Sequence, residues 1–468
     1  MMFLRYFTSP PHLRRALALW VVLAAAVSIK IACVGGDGSV YPALAGGSQR
    51  WWNEWPLYFV PGQLPESDFR YSPTFAVAFT PFARLPDTAG AILWCVTSIV
   101  VLVWSLFVLM RDVLPPPSGE GWSPWDKRLF LTLTLLGSAV GIWSGQSNAI
   151  IIALIGFALA AIARRRWWLA SFLLAATAFI KLWPLAIVLL LAVYWPRQLL
   201  GRFCVACLVL AAIPFLTKPP EIVLSRYHGW HLRMTGPFQA RHLGYRDAWT
   251  FWEQLCAMFG REPHWDAAGR VVHKAIGLIA SLGALGWCLW RFPRNVVLGR
   301  TPVFCQSCLG RWHSRPRLCE LPGTAEGGCA TRTCRFIHQT TTDRVLEESH
   351  GREKCLLAAI LSIWAAWQLL FGPATEQLTY GILAPSAAWA VLVSFAERRD
   401  RWLAAAAWAL LTFMASGDIE KAVLYVIPLG KTLLPLGVVL FVVWLVRCRR
   451  LACGAATGDN QEKSLCGT

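Results

Sequence analysis

The sequence predicts an all-α, polytopic membrane protein, and three observations lead to that fold class. Hydrophobic residues make up 56% of the 468-residue chain and charged residues only 15%, whereas soluble domains carry about 25% charged residues. Apolar runs of nearly bilayer-spanning length recur along the chain. Short Arg-rich stretches separate them and fall on one side when the N-terminus is placed inside the cell. We therefore expect a bundle of about 10–12 transmembrane helices with extracytoplasmic loops.

The net charge of +18 reflects topology rather than a nucleic-acid partner. Many of the cations flank apolar runs, where they set orientation and meet anionic lipid head groups. The 26 tryptophans are typical of aromatic belts at membrane interfaces. Arg5, Arg14 and Arg15 precede the first run as in a signal peptide, but no small-residue cleavage site follows them. We expect an uncleaved first helix and a bilayer, not nucleic acid, as the surroundings.

The apolar runs predict where the helices lie. They fall near 16–34, 89–110, 128–144, 148–163, 167–182, 184–196, 202–217, 271–290, 355–372, 378–396, 402–416 and 424–446. The runs on either side of Pro184 are short, and we expect a broken or re-entrant pair there. Residues 74–85, between Pro73 and Pro86, are also too short to span, which indicates an interfacial or re-entrant helix.

This pattern predicts one membrane domain that an insertion divides. Its parts are residues 1–300, the first part of the domain, with outer loops at about 35–88 and 218–270; 301–353, a disordered, Cys-rich cytoplasmic insertion; 354–450, the remaining transmembrane helices; and 451–468, a disordered cytoplasmic tail.

The segment 301–353 has three interpretations. Cys305 and Cys308 have the spacing of a zinc-ligand pair, and more Cys and His residues follow. A structural zinc site usually joins two such pairs, and only one is present here. The alternatives are a disordered insertion and an out-of-frame translation. We assign the segment no part in the main function.

Two polar motifs bracket a central pair of apolar runs. Gly145-Gln146-Ser147-Asn148 precedes the first run, Lys181-Leu182-Trp183-Pro184 follows the second, and Arg164–Arg166 lies between them. Short Arg-rich loops stay in the cytoplasm, so both motifs are expected at the opposite face. Polar groups gathered at the mouth of a membrane bundle indicate a functional site.

Several longer stretches resemble a known bacterial family. They are an Asp just after the first helix, then a Tyr and WxxxxPLY; FRYSPTFAVAFTPFARLPDTAGAILW; GQSNAIIIALIGFALAAIARRRWWLASFLLAATAFIKLWPLAIVLL; and LLFGPATEQLTYGILAP. The chain resembles the polyprenol-phosphate-mannose-dependent mannosyltransferases, glycosyltransferase family 87 (domain-of-unknown-function family 2029), of the GT-C superfamily. The resemblance covers about 35–200, and 355–390 more narrowly, and lapses across 301–353.

The resemblance implies a GT-C-like bundle and a hexosyltransferase. The donor is a polyprenyl-phosphate hexose, with mannose the expected sugar, and the acceptor is an envelope lipid or glycan on the extracytoplasmic side. An acidic residue of the first outer loop deprotonates the acceptor hydroxyl, which displaces polyprenyl phosphate with inversion at the anomeric carbon. Such a site needs one base within reach of the proton and cations aimed at the phosphate.

By resemblance, Asp37 is the expected base, because it follows the first helix where the family places its acid. The alternative catalytic acid is Asp68, and Asp247 and Glu376 come after it. A Gly-Asp-Gly sequence is also ordinary turn chemistry, so a solvated turn is the competing interpretation of Asp37.

The remaining candidates would bind the donor. Arg70 and Lys181 suit the phosphate, or they meet lipid head groups at the interface. Gln146 and Asn148 can hydrogen-bond sugar hydroxyls or cap the next helix. Tyr71 can stack on a sugar or belong to an aromatic belt.

Three further candidates lie in the outer loops. Glu376 can orient the acceptor or pair with a cation. His228 and His231 can contact the phosphate or relay a proton. Their spacing is not HxxxH, so we expect no metal and no other cofactor, although a divalent ion is an open possibility.

Two other functions compete with a transferase. A transporter or flippase for a lipid-linked glycan would place its polar groups near the bilayer midplane and show interrupted repeats. An inactive family member would account for the unusual segment 301–353. The expected location is the bacterial cytoplasmic (inner) membrane, with both termini in the cytoplasm.

Overall fold

A computed structural model describes residues 11–35, 39–58, 69–119, 121–235, 267–293, 351–371, 377–416 and 433–452. These residues form helices and contain no strand. The α-helices are α1 Pro11–Val34, α2 Tyr41–Trp52, α3 Pro73–Ala78, α4 Thr80–Ala83, α5 Asp87–Asp112, α6 Pro124–Trp143, α7 Asn148–Ala163, α8 Trp167–Ile180, α9 Leu185–Tyr194, α10 Pro196–Ala212, α11 Pro220–Thr235, α12 Ala267–Arg291, α13 Gly351–Phe371, α14 Ala384–Ala396, α15 Arg401–Phe413 and α16 Leu433–Arg447. Short 3-10 helices cover Ile213–Leu216, Gln377–Leu383 and Arg450–Ala452.

The helices confirm a polytopic, all-α membrane protein. Five of those described are long and apolar enough to cross a bilayer, namely α1, α5, α10 extended by its 3-10 turn to Leu216, α13, and Leu378–Ala396, which includes α14. Shorter apolar helices, such as α7, α8 and α9, lie among them. The break predicted around Pro184 is present, because α8 ends at Ile180 and α9 begins at Leu185.

Helix α7 lies in the middle of the bundle, packed against α5 and α8. Most of its side chains are buried, which fits a helix that is apolar on every face. Gly156 lets α5 approach closely, since a Cβ at that position would collide with the Ser105 side chain. The Ser105 hydroxyl instead donates to the Ala153 carbonyl at 3.0 Å. Small residues permit such backbone approaches between membrane helices.

The Arg-rich loops meet at one end of the bundle, which we call the basic end. Arg164 pairs with Asp112 at 2.6 Å, and Arg165 pairs with Glu353 at 2.9 Å. Arg450 pairs with Glu397 at 2.9 Å. These contacts join the ends of α5, α7, α13, α14 and α16, so the shared side predicted for the basic loops is confirmed.

One predicted element differs from the structure. Residues 74–85 form two short helices, α3 and α4, rather than one. The described part of α13 includes Gly351 and Glu353, the last residues assigned to the insertion 301–353, and Glu353 is buried and paired at the basic end. The rest of that insertion and the tail beyond 452 lie outside the described residues.

The pair between Arg165 and Glu353 yields a stability prediction. The Glu353 side chain is only 6% exposed, and its Oε1 has no hydrogen-bond partner among the described residues. An Arg165→Met change leaves a buried carboxylate without its cation, which we expect to lower the free energy of unfolding by about 1–2 kcal/mol. Thermal unfolding followed by tryptophan fluorescence measures the loss.

The neighbouring Arg166 provides the control, because it is exposed and carries the same charge. We expect Arg166→Met to change stability little, and Glu353→Gln to recover part of the loss in an Arg165→Met background. Equal effects of the two arginine variants would contradict the assigned pair.

Candidate functional site

The turn between α6 and α7, residues 143–148, is the centre of the opposite end of the bundle. Gly145 adopts a left-handed φ of +66°, which glycine accommodates without a Cβ clash. Its carbonyl accepts a hydrogen bond from Trp94 Nε1 at 2.9 Å. The Ser144 carbonyl accepts one from the Val40 N–H at 2.9 Å. We call this end, with the turn, residues 69–73 and residues 181–184, the site end.

Lys181 lies against this turn. It adopts an extended conformation at the end of α8, and its Nζ donates to Asn148 Oδ1 at 3.0 Å. The Asn148 amide uses its other side at the same time, since Nδ2 donates to the Leu378 carbonyl at 3.2 Å. Asn148 therefore links α7, the end of α8 and the 3-10 helix Gln377–Leu383. The predicted shared face of the two motifs is confirmed.

The YSP sequence lies on the same cluster. The Ser147 hydroxyl donates to the Tyr71 hydroxyl at 3.3 Å. Ser72 donates to the Phe179 carbonyl at 2.5 Å and caps α3 by accepting from the Phe75 N–H at 3.1 Å. Tyr71 thus lies between the turn and the end of α8.

A hydrogen bond from Tyr58 holds the backbone of Tyr71 in position. The Tyr58 hydroxyl donates to the Tyr71 carbonyl at 2.8 Å. Burial raises the pKa of Tyr58 well above its ordinary value, so this phenol stays protonated and keeps donating at any physiological pH. The ring of Tyr71 also stacks on Phe75, with centroids 4.9 Å apart.

Gln146 and Arg70 complete the described part of the site. Gln146 is buried within the turn, and Arg70, directly before Tyr71, is half-buried. The described groups, an ammonium, a guanidinium, amides and hydroxyls, are mainly hydrogen-bond donors or can act as such. Among the described residues no three His, Cys, Asp or Glu side chains gather to hold a metal ion. This chemistry favours an anionic or hydroxyl-rich ligand.

The four acidic candidates lie outside the described residues: Asp37, Asp68, Asp247 and Glu376. The described chain resumes at Ser39, and the neighbouring Val40 bonds to the turn. Leu378, which follows Glu376 by two residues, accepts from Asn148.

The two histidine candidates are placed differently from the motif residues. His228 and His231 are exposed on α11. Other side chains of α11 reach the site end: the Tyr227 hydroxyl lies 2.8 Å from the Thr74 hydroxyl, and Trp230 stacks on Phe179. The described structure therefore shows no contact between either histidine and the turn, and their roles remain predictions.

A family model, glycosyltransferase family 87, matches residues 69–307. That range covers half of the chain and contains both YSP and the two motifs of the central helices. The chain belongs to glycosyltransferase family 87. It is therefore a membrane glycosyltransferase by family, and the family identified from the sequence is confirmed.

Comparison with other proteins adds a distant likeness. No curated protein matches the chain in sequence. A solved structure similar to it is that of ArnT from Cupriavidus metallidurans bound to undecaprenyl phosphate, with 14% identity and a TM-score of 0.40, covering 93% of this chain and 76% of that chain.

One residue near the site of this family 87 protein escaped the sequence analysis. Lys30 lies on α1 and donates from Nζ to the Trp143 carbonyl at 3.2 Å. A lysine within an apolar run is itself a signal of function, because charges inside membrane helices are costly. Tyr58 and Ser72 lie in the stretches WxxxxPLY and YSP that carry the resemblance, but their hydrogen bonds to backbone carbonyls were not predicted, since single hydroxyls give no pattern in a sequence.

The turn provides a second stability prediction. Gly145→Ala places a Cβ at a left-handed backbone position, and we expect a loss of about 1–2 kcal/mol in the free energy of unfolding. Thermal unfolding measures it. Gly201→Ala is the control, because Gly201 lies within α10 with open space around it, where alanine should stabilise by up to about 1 kcal/mol. Similar losses in both variants would contradict a special role for the turn.

Proposed function

We propose that this family 87 protein transfers a hexose, with mannose the expected sugar, from a polyprenyl-phosphate-linked donor to an envelope lipid or glycan. The reaction is a single displacement with inversion on the extracytoplasmic side. The observation that supports it best is the contact of Lys181 with Asn148 beside Tyr71. This contact brings hydrogen-bond donors for phosphate and sugar oxygens together at one end of the bundle rather than at its middle.

The end-on position of the cluster also favours an enzyme over a transporter. A transporter binds its substrate near the bilayer midplane, whereas Lys181 and Asn148 lie where α8 ends and α7 begins. A transferase that takes its donor from one leaflet needs its polar groups at that boundary. We therefore keep the transferase as the proposed function.

The proposed chemistry divides the work between one acid and several donors. Asp37 takes the proton from the acceptor hydroxyl as its oxygen attacks the anomeric carbon, and the alternative bases are Asp68, Asp247 and Glu376. The bond from that carbon to the phosphate oxygen breaks, and polyprenyl phosphate leaves. Lys181 and Arg70 stabilise the negative charge on the leaving phosphate. Gln146 and Asn148 bind sugar hydroxyls, and no metal or other cofactor takes part.

The orientation follows from the same proposal. The basic end faces the cytoplasm, as short Arg-rich loops do, and the site end faces the other side of a bacterial inner membrane. Both termini are then cytoplasmic, because the described ends of the chain lie at the basic end: His12 on α1 contacts Trp125 at the start of α6, and Arg447 at the end of α16 pairs with Asp400.

Transfer from radiolabelled polyprenyl-phosphate mannose to envelope lipids extracted from the native host tests the function. We expect the purified wild type to transfer mannose and Asp37→Asn to lose at least about a hundredfold in rate, which is the usual contribution of a general base. Asp87→Asn is the matched control, because Asp87 is exposed at the start of α5 and is expected to keep wild-type rates.

The outcomes separate the class from the residue. Wild-type rates in Asp37→Asn would keep the transferase and assign the base to Asp68, Asp247 or Glu376. Absence of transfer by the wild type with mannose and other hexose donors would contradict the proposed function.

Lys181 yields a separate prediction about donor binding. Lys181→Met removes the ammonium that Asn148 orients, and we expect the KM for the donor to rise about tenfold or more while the KM for the acceptor stays similar. Lys218→Met is the control, since Lys218 pairs with Glu54 at 2.7 Å away from the turn. A Lys181→Met enzyme with an unchanged donor KM would show that Lys181 only supports the fold.

A further inference from the structure

Lys30 is the charged side chain within α1 that reaches the site end. It lies on a helix that is long and apolar enough to span a bilayer, four residues before Val34, where that helix ends. Its Nζ is 3.2 Å from the Trp143 carbonyl and 4.9 Å from the centroid of the Trp143 ring. The backbone contact and the ring both hold the ammonium at the first residue of the turn.

The charge of Lys30 has no acidic counterpart in the described part of the chain. An ammonium carries three N–H donors, and the Trp143 carbonyl accepts one of them. Charged groups in membrane helices pair with one another or with backbone carbonyls and mark ligand sites. The N–H groups of Lys30 that the Trp143 carbonyl leaves unused can therefore bind an anionic ligand.

The surroundings of Lys30 show from which side that ligand comes. Ile29 and Val34 are 63% and 60% exposed, so this stretch of α1 presents apolar side chains to lipid. On its other side Lys30 contacts Trp143, the residue before the cluster that contains Asn148 and Lys181. An anion that approaches along the lipid-facing surface of α1 is carried by a lipid, and the anionic group of membrane lipids and of polyprenyl carriers is a phosphate.

We propose that Lys30 binds the phosphate of a lipid at the edge of the site, between α1 and the turn of residues 143–148. The assignment of this phosphate to the polyprenyl donor rests on the proposed function. The other source of the same group is a phospholipid of the bilayer. Lys30 contacts Trp143 at one end of the turn, and Lys181 contacts Asn148 at the other. Lys30 therefore lies on the lipid-facing side of the site, and Lys181 lies on the side of the helix bundle.

Direct binding tests the proposal without any transfer. The full chain, purified in detergent, is titrated with decaprenyl phosphate and, separately, with decaprenol, and its tryptophan fluorescence reports binding. Retention of phosphatidylglycerol is read by native mass spectrometry. The variants are Lys30→Met, Lys30→Arg and Lys127→Met. Lys127 is the matched control, because it lies in the first turn of α6, at the other end of the helix that Trp143 terminates.

We expect Lys30→Met to bind decaprenyl phosphate about tenfold or more weakly, since a hydrogen bond to a charged group is lost. Lys30→Arg should stay within about threefold of the wild type, because a cation remains. Lys127→Met should match the wild type, and decaprenol should bind equally to all. This pattern assigns the phosphate of the carrier lipid to Lys30.

The other outcomes are equally decisive. Loss of phosphatidylglycerol alone in Lys30→Met supports a phosphate site and assigns it to the bilayer lipid. Unchanged binding of both lipids by Lys30→Met overturns the proposal.

A wild type that does not bind decaprenyl phosphate contradicts the proposed function, while the proposal for Lys30 then depends on phosphatidylglycerol retention. If Lys30→Met fails to fold, weak binding by Lys30→Gln with wild-type thermal unfolding supports the proposal, and normal binding overturns it.

Discussion

The backbone carbonyl and N–H groups of the turn where α6 ends and α7 begins need hydrogen-bond partners, and this need determines much of the structure of the site end. Helix ends leave carbonyl and N–H groups without partners in the helix, and hydrocarbon offers none. Here the turn obtains partners from three other segments: Val40 donates to Ser144, Trp94 to Gly145, and Lys30 to Trp143. Because each partner comes from a different part of the chain, satisfying one turn brings those segments together. The same contacts help to place the candidate side chains of the site end.

The two ends of the bundle handle charge in different ways. At the basic end arginines pair with acids, as Arg164 does with Asp112 and Arg165 with Glu353, so much of the charge is used within the protein. At the site end Lys30 and Lys181 contact neutral oxygens, a carbonyl and an amide. The first arrangement joins helices through ion pairs, and the second orients two ammonium groups through neutral acceptors.

The sequence was sufficient for the fold class, the order of the helices and the pairing of the two central motifs. Hydropathy and Arg-rich loops are chain-wide signals that depend on the bilayer, so Lys181 could be placed beside the turn without a structure. It was insufficient for Lys30 and for the contacts of Tyr58 and Ser72, all of which are made with backbone carbonyls in other segments. Such bonds depend on how helices pack, and no spacing in the sequence records them. The burial of Glu353 has a similar origin, because its pairing with Arg165 depends on how α7 and α13 pack.

Asn148 shows why the site is a property of the bundle rather than of any motif. A primary amide both accepts and donates, and Asn148 uses both functions, toward Lys181 and toward Leu378. A carboxylate would lose the second bond and an aliphatic side chain would lose both. The residue therefore couples the position of a proposed phosphate ligand to the segment that follows residues 372–376. A site assembled in this way depends on the packing of α7, α8 and the 3-10 helix Gln377–Leu383, because a shift of any one of them would break a bond of Asn148.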